Sequence, residues 1–136
     1  MIRRPAVIGC TVLLVGLFAA GFVLKPAQVV TADGRSRVVF FHRFQRGSFQ
    51  FVNSVTHKPV TVHFRVLSRF DRFSIETDEE TENYYTSGTY DMDALLSRQT
   101  TSSLKLCSMQ GIELSVGDDR WEIQDGCLEV TLLWTF

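Results

Sequence analysis

The chain has 136 residues, of which 45% are hydrophobic and 21% are charged. A chain of this length holds one packed domain of ordinary size. Its formal net charge of −1 excludes the broad basic surface that nucleic-acid binding needs, so nucleic acid is not an expected partner. The apolar residues are unevenly distributed, because residues 5–24 contain no charged side chain. The sequence therefore predicts one domain behind an apolar N-terminal segment.

The uncharged segment lies between Arg4 and Lys25 and has twenty residues. At about 1.5 Å per residue, a helix of this length spans the roughly 30 Å hydrocarbon core of a bilayer. We predict that residues 1–25 are a retained membrane anchor. The alternative is a cleaved signal peptide, for which Ala19 and Gly21 form the one acceptable pair of small residues before a cleavage site.

The flanking residues predict the orientation of this segment. A short stub that carries Arg3 and Arg4 is expected to stay in the cytoplasm, whereas a long folded domain is translocated largely regardless of its charge. We therefore expect a single-pass protein of the inner (cytoplasmic) membrane, with residues 26–136 in the periplasm or outside the cell. Gly16 and Ala20 form a small-xxx-small pair on one helix face, where either a neighbouring helix docks or the residues simply face lipid.

Residues 26–136 show short β-segments separated by turn signals, with no sustained helical period. The Asp33-Gly34 pair is a strong hairpin signal. The clearest strand has inward Val60, Val62, Phe64 and Val66, which alternate with outward Thr61, His63 and Arg65. Six to eight such strands favour a mostly β fold, as an antiparallel β-sandwich or a partly closed barrel.

The last strand carries a second prediction of side-chain direction. Alternation predicts that five side chains point inward: Leu128, Val130, Leu132, Trp134 and Phe136. The same parity places Cys127 on the outer face, and it places Cys107 on the outer face of the strand that begins at Leu104. If the two strands are neighbours, the cysteines can form a disulfide in an oxidising compartment. The alternative is two free thiols.

A long connection without a clean strand pattern precedes Cys107. It begins with acidic and aromatic residues, namely Asp78, Glu79, Glu80, Glu82, Tyr84, Tyr85 and Tyr90. Long loops are often functional, so this segment is a candidate partner loop. Its spacing does not match a calcium-binding loop, and a solvated loop is the alternative interpretation.

Motifs for catalysis are absent from the sequence. The three histidines, His42, His57 and His63, show no metal-ligand spacing, and there is no G-x-S-x-G or phosphate-binding glycine motif. We therefore predict no catalytic residue, no metal site and no cofactor, and we expect the protein not to be an enzyme.

One segment carries a family resemblance. Residues 49–66 contain an aromatic strand, the triplet Asn53-Ser54-Val55, a short turn with Pro59-Val60 and a second strand. This order resembles the hallmark of an uncharacterised bacterial family, domain of unknown function eighteen-fifty, whose usual triplet is His-Ser-Val. Members look like small anchored extracytoplasmic proteins that are often encoded beside TAXI-type tripartite ATP-independent periplasmic (TRAP) transporters. The activity of that family is unknown, so the resemblance carries over no catalytic residue.

Together these observations predict a non-catalytic, membrane-anchored accessory subunit of a transporter or another membrane complex. The bilayer and a membrane-protein subunit are its expected partners, and the resemblance alone supplies the TRAP transporter. The alternative is an extracytoplasmic binding module that holds a small ligand or a lipid between its sheets.

Overall fold

The computed structural model describes residues 4–53, 56–78 and 100–136. One helix, α1 (Arg4–Val23), precedes nine strands in this part of the chain. The strands are β1 (Leu24–Thr31), β2 (Ser36–His42), β3 (Arg46–Val52), β4 (Pro59–Val66), β5 (Phe70–Glu76), β6 (Ser103–Ser108), β7 (Ile112–Val116), β8 (Asp119–Ile123) and β9 (Gly126–Leu132).

The strands form two antiparallel sheets. The four-stranded sheet has the order β2-β1-β9-β6, and the five-stranded sheet has the order β5-β4-β3-β7-β8. One hydrophobic cluster contains inward side chains of both sheets, so the sheets pack face to face as a sandwich. The predicted mostly β, antiparallel architecture behind one N-terminal helix is confirmed.

Strand β4 shows how the period-two pattern builds this core. Its four inward side chains, those of Val60, Val62, Phe64 and Val66, are at most 2% exposed. The outward Thr61, His63 and Arg65 are exposed or half-buried. The predicted parity of β4 is therefore confirmed, and its apolar side chains belong to the same core cluster as Val29 and Val130 of the other sheet.

The sandwich has two distinct ends. Strand β1 begins directly after α1, and its other end leads into the Asp33-Gly34 hairpin, where Gly34 has a φ of 82°. We call the end of the sandwich near Leu24 the helix end and the opposite end the far end. At about 3.3 Å per residue, the two ends of β1 are about 23 Å apart. The turn at residues 43–45 lies at the helix end, because it follows His42, which pairs with Leu24. Strand β3 begins after this turn, and its first residues pair with the last residues of β4 and β7. The turns at residues 67–69 and 117–118 therefore lie at the helix end too.

Two features differ from the sequence predictions. Strand β9 ends at Leu132, so the alternation does not continue to the last residue, and Phe136 is 62% exposed rather than inward. Trp134 is half-buried. The chain leaves the sheet here and crosses the helix end of β1. In addition, β1 takes in Leu24 and Lys25, which the sequence assigned to the anchor.

Candidate functional site

Helix α1 is apolar around its whole circumference, and none of its residues is buried. An all-apolar helix is stable only where other apolar groups cover it. Among the described residues, α1 is the one helix that is long and apolar enough to cross a membrane. Gly16 and Ala20 are both exposed, and a Cβ atom placed on Gly16 would meet no other group within 4 Å. Both residues of the predicted helix-docking pair are therefore exposed on the surface of α1.

No linker separates α1 from the sandwich. The last turn of the helix is fastened to the turn between β2 and β3 through Arg43. The Arg43 main-chain N–H donates to the carbonyl of Val23 at 2.7 Å, and its Nε donates to the carbonyl of Phe22 at 2.9 Å. The guanidinium also stacks over the Phe22 ring at 3.8 Å from the ring centre. These contacts hold the turn between β2 and β3 against the last turn of α1.

Lys25 fastens the end of the chain to the same place. Its side chain is 0% exposed, and Nζ donates hydrogen bonds to the main-chain oxygens of Trp134 at 2.9 Å and Phe136 at 3.2 Å. Burial lowers the pKa of Lys25, and the neighbouring Arg43 charge lowers that pKa further. The indole Nε1 of Trp134 donates to the carbonyl of Leu24 at 3.1 Å. Residues 133–136 therefore close the helix end of the sandwich.

Three aromatic side chains accompany these contacts. The rings of Trp134 and Phe136 stack with their centres 5.6 Å apart. Phe44 lies next to Arg43, is 65% exposed and has a φ of 73°, a backbone conformation that is unusual for a bulky residue. The helix end thus combines two anchored cations with solvent-exposed rings. Sequence reasoning missed this cluster, because its residues come from three separate segments of the chain.

The outer face of the four-stranded sheet is apolar near the helix end and polar further along. Near the helix end, Phe40 pairs with Pro26, next to the row in which His42 pairs with Leu24, and the Leu133 N–H donates to the Pro26 carbonyl. Phe40 is 58% exposed, Leu133 is 51% exposed, and Val38 in the next row is 54% exposed. We call Val38, Phe40 and Leu133 the apolar patch. Further along, the rows become polar, with Ser103, Thr131, Lys105 and Glu129.

The far end of this outer face carries the disulfide. Cys107 and Cys127 are directly opposite each other in the β6–β9 pair, are joined by a disulfide and have Cα atoms 4.0 Å apart. They lie on the outer face that the strand parity predicts. The third cysteine, Cys10, is a free thiol on α1.

The predicted partner loop is described only at its start. Asp78 follows β5 at the far end and is exposed. The other six residues of that prediction, Glu79, Glu80, Glu82, Tyr84, Tyr85 and Tyr90, lie outside the described residues.

The histidines lie far from one another in the fold. His42 is at the helix end of β2 and His57 is at the far end, whereas His63 contacts Glu76 on β5 at 2.9 Å. Among the residues that the structure describes, no group of His, Cys, Asp and Glu is placed to hold a metal ion.

A cleft follows the open side of the sandwich, where the edge strands β2 and β8 face each other. It has a volume of about 460 Å³, and a second cleft of about 330 Å³ continues along the same gap. Arg37 and Trp121 line both clefts, and the larger one is also lined by Val29, Arg35, Glu122 and Ile123. Five of the ten residues that line the larger cleft are charged, namely Asp33, Arg35, Arg37, Glu122 and Asp125, so the cleft offers both polar and apolar contacts to a small molecule.

The fold and the junction define a class of protein: an antiparallel β-sandwich that follows, without a linker, an apolar helix long enough to cross a membrane. No family model matches the chain. No curated protein and no solved structure matches it.

Proposed function

We propose that α1 remains attached as a membrane anchor and holds the sandwich on the periplasmic or outer side of the cytoplasmic membrane. The exposed, fully apolar surface of α1 supports this proposal, because nothing in the described chain covers it. The junction supports it as well. Proteolysis needs accessible, flexible chain, whereas Phe22 and Val23, which directly follow the Ala19 and Gly21 pair, are helical and bonded to Arg43.

On this anchor, the protein acts as a non-catalytic accessory subunit of a membrane complex. The observation that carries the proposal is the apolar patch of Val38, Phe40 and Leu133. Phe40 and Leu133 lie beside Pro26 near the helix end, and Val38 lies near the middle of the same face, opposite Gln28. Exposed apolar patches on a folded domain mark interaction surfaces. A partner that is itself embedded in the membrane would meet this patch beside the anchor. The family resemblance points to a TAXI-type TRAP transporter as that partner.

Co-purification of the full-length chain from native membranes in a mild detergent tests this function. We expect a multi-span membrane subunit to be retained by the wild-type chain and lost by Phe40→Ser. Met109→Ser is the matched control, because Met109 is 88% exposed but lies at the far end; this variant should keep the subunit. Retention by Phe40→Ser, or equal loss by both variants, contradicts the proposal. Gly16→Ile tests separately whether a neighbouring helix docks on the face of α1 that carries Gly16 and Ala20. Retention of the subunit by this variant would mean that these two residues only face lipid.

The cleft between β2 and β8 favours a second candidate function, the binding of a small ligand or a lipid. Native mass spectrometry of the full-length chain should then detect a bound small molecule. Ile123→Trp fills the cleft and should remove that molecule, whereas Met109→Trp adds the same side chain elsewhere and should retain it. A protein that carries no small molecule, or one that retains it in Ile123→Trp, contradicts this candidate.

A further inference from the structure

We propose that Phe44, Trp134 and Phe136 form an aromatic collar that sits in the headgroup layer of the membrane crossed by α1. The collar rests on the proposed anchor and adds a second contact with the same bilayer. Its occupant is the bilayer itself, because the collar continues the surface of the helix that enters it.

The depth of the collar follows from the length of α1. Twenty residues at about 1.5 Å each fill the roughly 30 Å hydrocarbon core, so the C-terminal end of the helix lies at the boundary of that core. Arg43 contacts the last helical turn at Phe22, and Phe44 is the next residue. The main-chain oxygen of Phe136 accepts hydrogen bonds from both Lys25 and Arg43. The turn at residues 43–45 and the end of the chain therefore lie at the depth of the membrane surface.

The chemistry of the collar fits that depth. Phe44 is 65% exposed and Phe136 is 62% exposed, which is unfavourable for phenyl rings in water. Aromatic side chains are enriched at both membrane interfaces, where a ring lies among headgroups while polar atoms stay hydrated. The two cations beside the rings, Lys25 and Arg43, do not depend on the headgroups, because main-chain oxygens of the protein accept their hydrogen bonds.

The distribution of exposed apolar side chains gives an independent argument. Within the part of the sandwich that the structure describes, the exposed large apolar residues are Val38, Phe40, Phe44, Met109, Leu133 and Phe136. Of these, Phe40, Phe44, Leu133 and Phe136 lie near the helix end, Val38 lies near the middle of β2, and Met109 lies at the far end. A domain surrounded by water gains nothing from concentrating its exposed apolar side chains at one end. A domain whose one end rests on a bilayer does, because those side chains contact the membrane there.

Fluorescence quenching by brominated lipids tests the collar in the full-length chain, reconstituted into phosphatidylcholine vesicles. Trp121→Phe leaves Trp134 as the single tryptophan. We expect lipids brominated close to the headgroup to quench most of the Trp134 fluorescence, and lipids brominated near the chain terminus to quench it less. The control chain combines Trp121→Phe, Trp134→Phe and Met109→Trp, which places the reporter at the far end, and it should show no quenching.

A second reporter avoids dependence on Trp134. Phe44→Trp in a chain that carries Trp121→Phe and Trp134→Phe should be quenched in the same depth order. If both collar reporters are as little quenched as the far-end reporter, the collar is refuted. Flotation of the vesicles in alkaline carbonate separates this outcome from failure of the anchor: a chain that floats without quenching refutes the collar alone, and a chain that does not float refutes both proposals.

Discussion

A glycine that faces an aromatic ring provides the sharpest test of the core. Gly47 and Phe64 are directly opposite each other in the β3–β4 pair. A Cβ atom on Gly47 would lie 2.4 Å from Cε2 and Cζ of the Phe64 ring. That ring cannot retreat easily, because Phe64 is 2% exposed and its ring centre lies 5.4 Å from that of Phe70 and 6.0 Å from that of Phe73.

We expect Gly47→Ala to lower the free energy of unfolding by about 1–3 kcal/mol, the usual cost of overpacking. Phe64→Leu removes the two ring atoms that would lie 2.4 Å from the new methyl group, and it should cost about 1–2 kcal/mol on its own. In the Phe64→Leu chain, Gly47→Ala should then cost much less than in the wild-type chain. The two substitutions are therefore predicted to couple by about 1–3 kcal/mol.

Urea unfolding of the full-length chain in detergent micelles, followed by tryptophan fluorescence, measures all four members of this cycle, provided that the m-value stays constant. The control replaces Phe64→Leu with Leu128→Ala. Leu128 belongs to the same core but lies on the other sheet near the far end, opposite Thr31, so its cycle with Gly47→Ala should be additive. Equal costs of Gly47→Ala in the wild-type and Phe64→Leu chains would refute the packing argument.

Three further predictions concern the disulfide, Lys25 and the N-terminus. Replacing Cys107 and Cys127 by Ser should lower the free energy of unfolding by about 3 kcal/mol, because the bond closes a loop in the unfolded chain, whereas Cys10→Ser should leave the urea midpoint unchanged; an unchanged midpoint in the double variant contradicts this. The pKa of Lys25 is lowered in the folded state from 10.5, so the unfolded chain binds this proton more tightly and the free energy of unfolding should rise as the pH approaches 10.5. Lys25→Met should lack that rise, and identical pH slopes would argue against it. N-terminal sequencing of the membrane-bound protein should read residues that precede Ala19, and a start at Phe22 would show that the segment is cleaved.

Where one face of a strand is solvent-exposed and the other is buried, the sequence of the strand is enough to predict the direction of its side chains. Strand β4 is such a case, because valines and a phenylalanine alternate with polar residues over its whole length. The parity argument also placed Cys107 and Cys127 on one outer face. It could not establish that β6 and β9 are neighbours, because strand order depends on long-range pairing and not on local pattern.

The contacts at the helix end could not be predicted from local sequence patterns, for a related reason. A lysine after an apolar run is typical of a membrane boundary, so Lys25 was assigned to the anchor, yet its ammonium group is satisfied by main-chain oxygens more than a hundred residues further along. The alternation of β9 likewise gives no indication that the strand ends at Leu132. In both places, hydrogen bonds between distant segments override the local pattern.

The direct connection between α1 and β1 has a mechanical consequence. A flexible linker would let the sandwich reorient independently, but here the bonds from Arg43 to Phe22 and Val23 couple the orientation of the sandwich to that of the helix. Membrane helices tilt on average by about 20°. Over the roughly 23 Å between the two ends of β1, a tilt of that size would move the Asp33-Gly34 hairpin sideways by about 8 Å. On the proposed anchor, changes in bilayer thickness or in helix packing would thus produce a larger displacement at this hairpin than at the junction with α1.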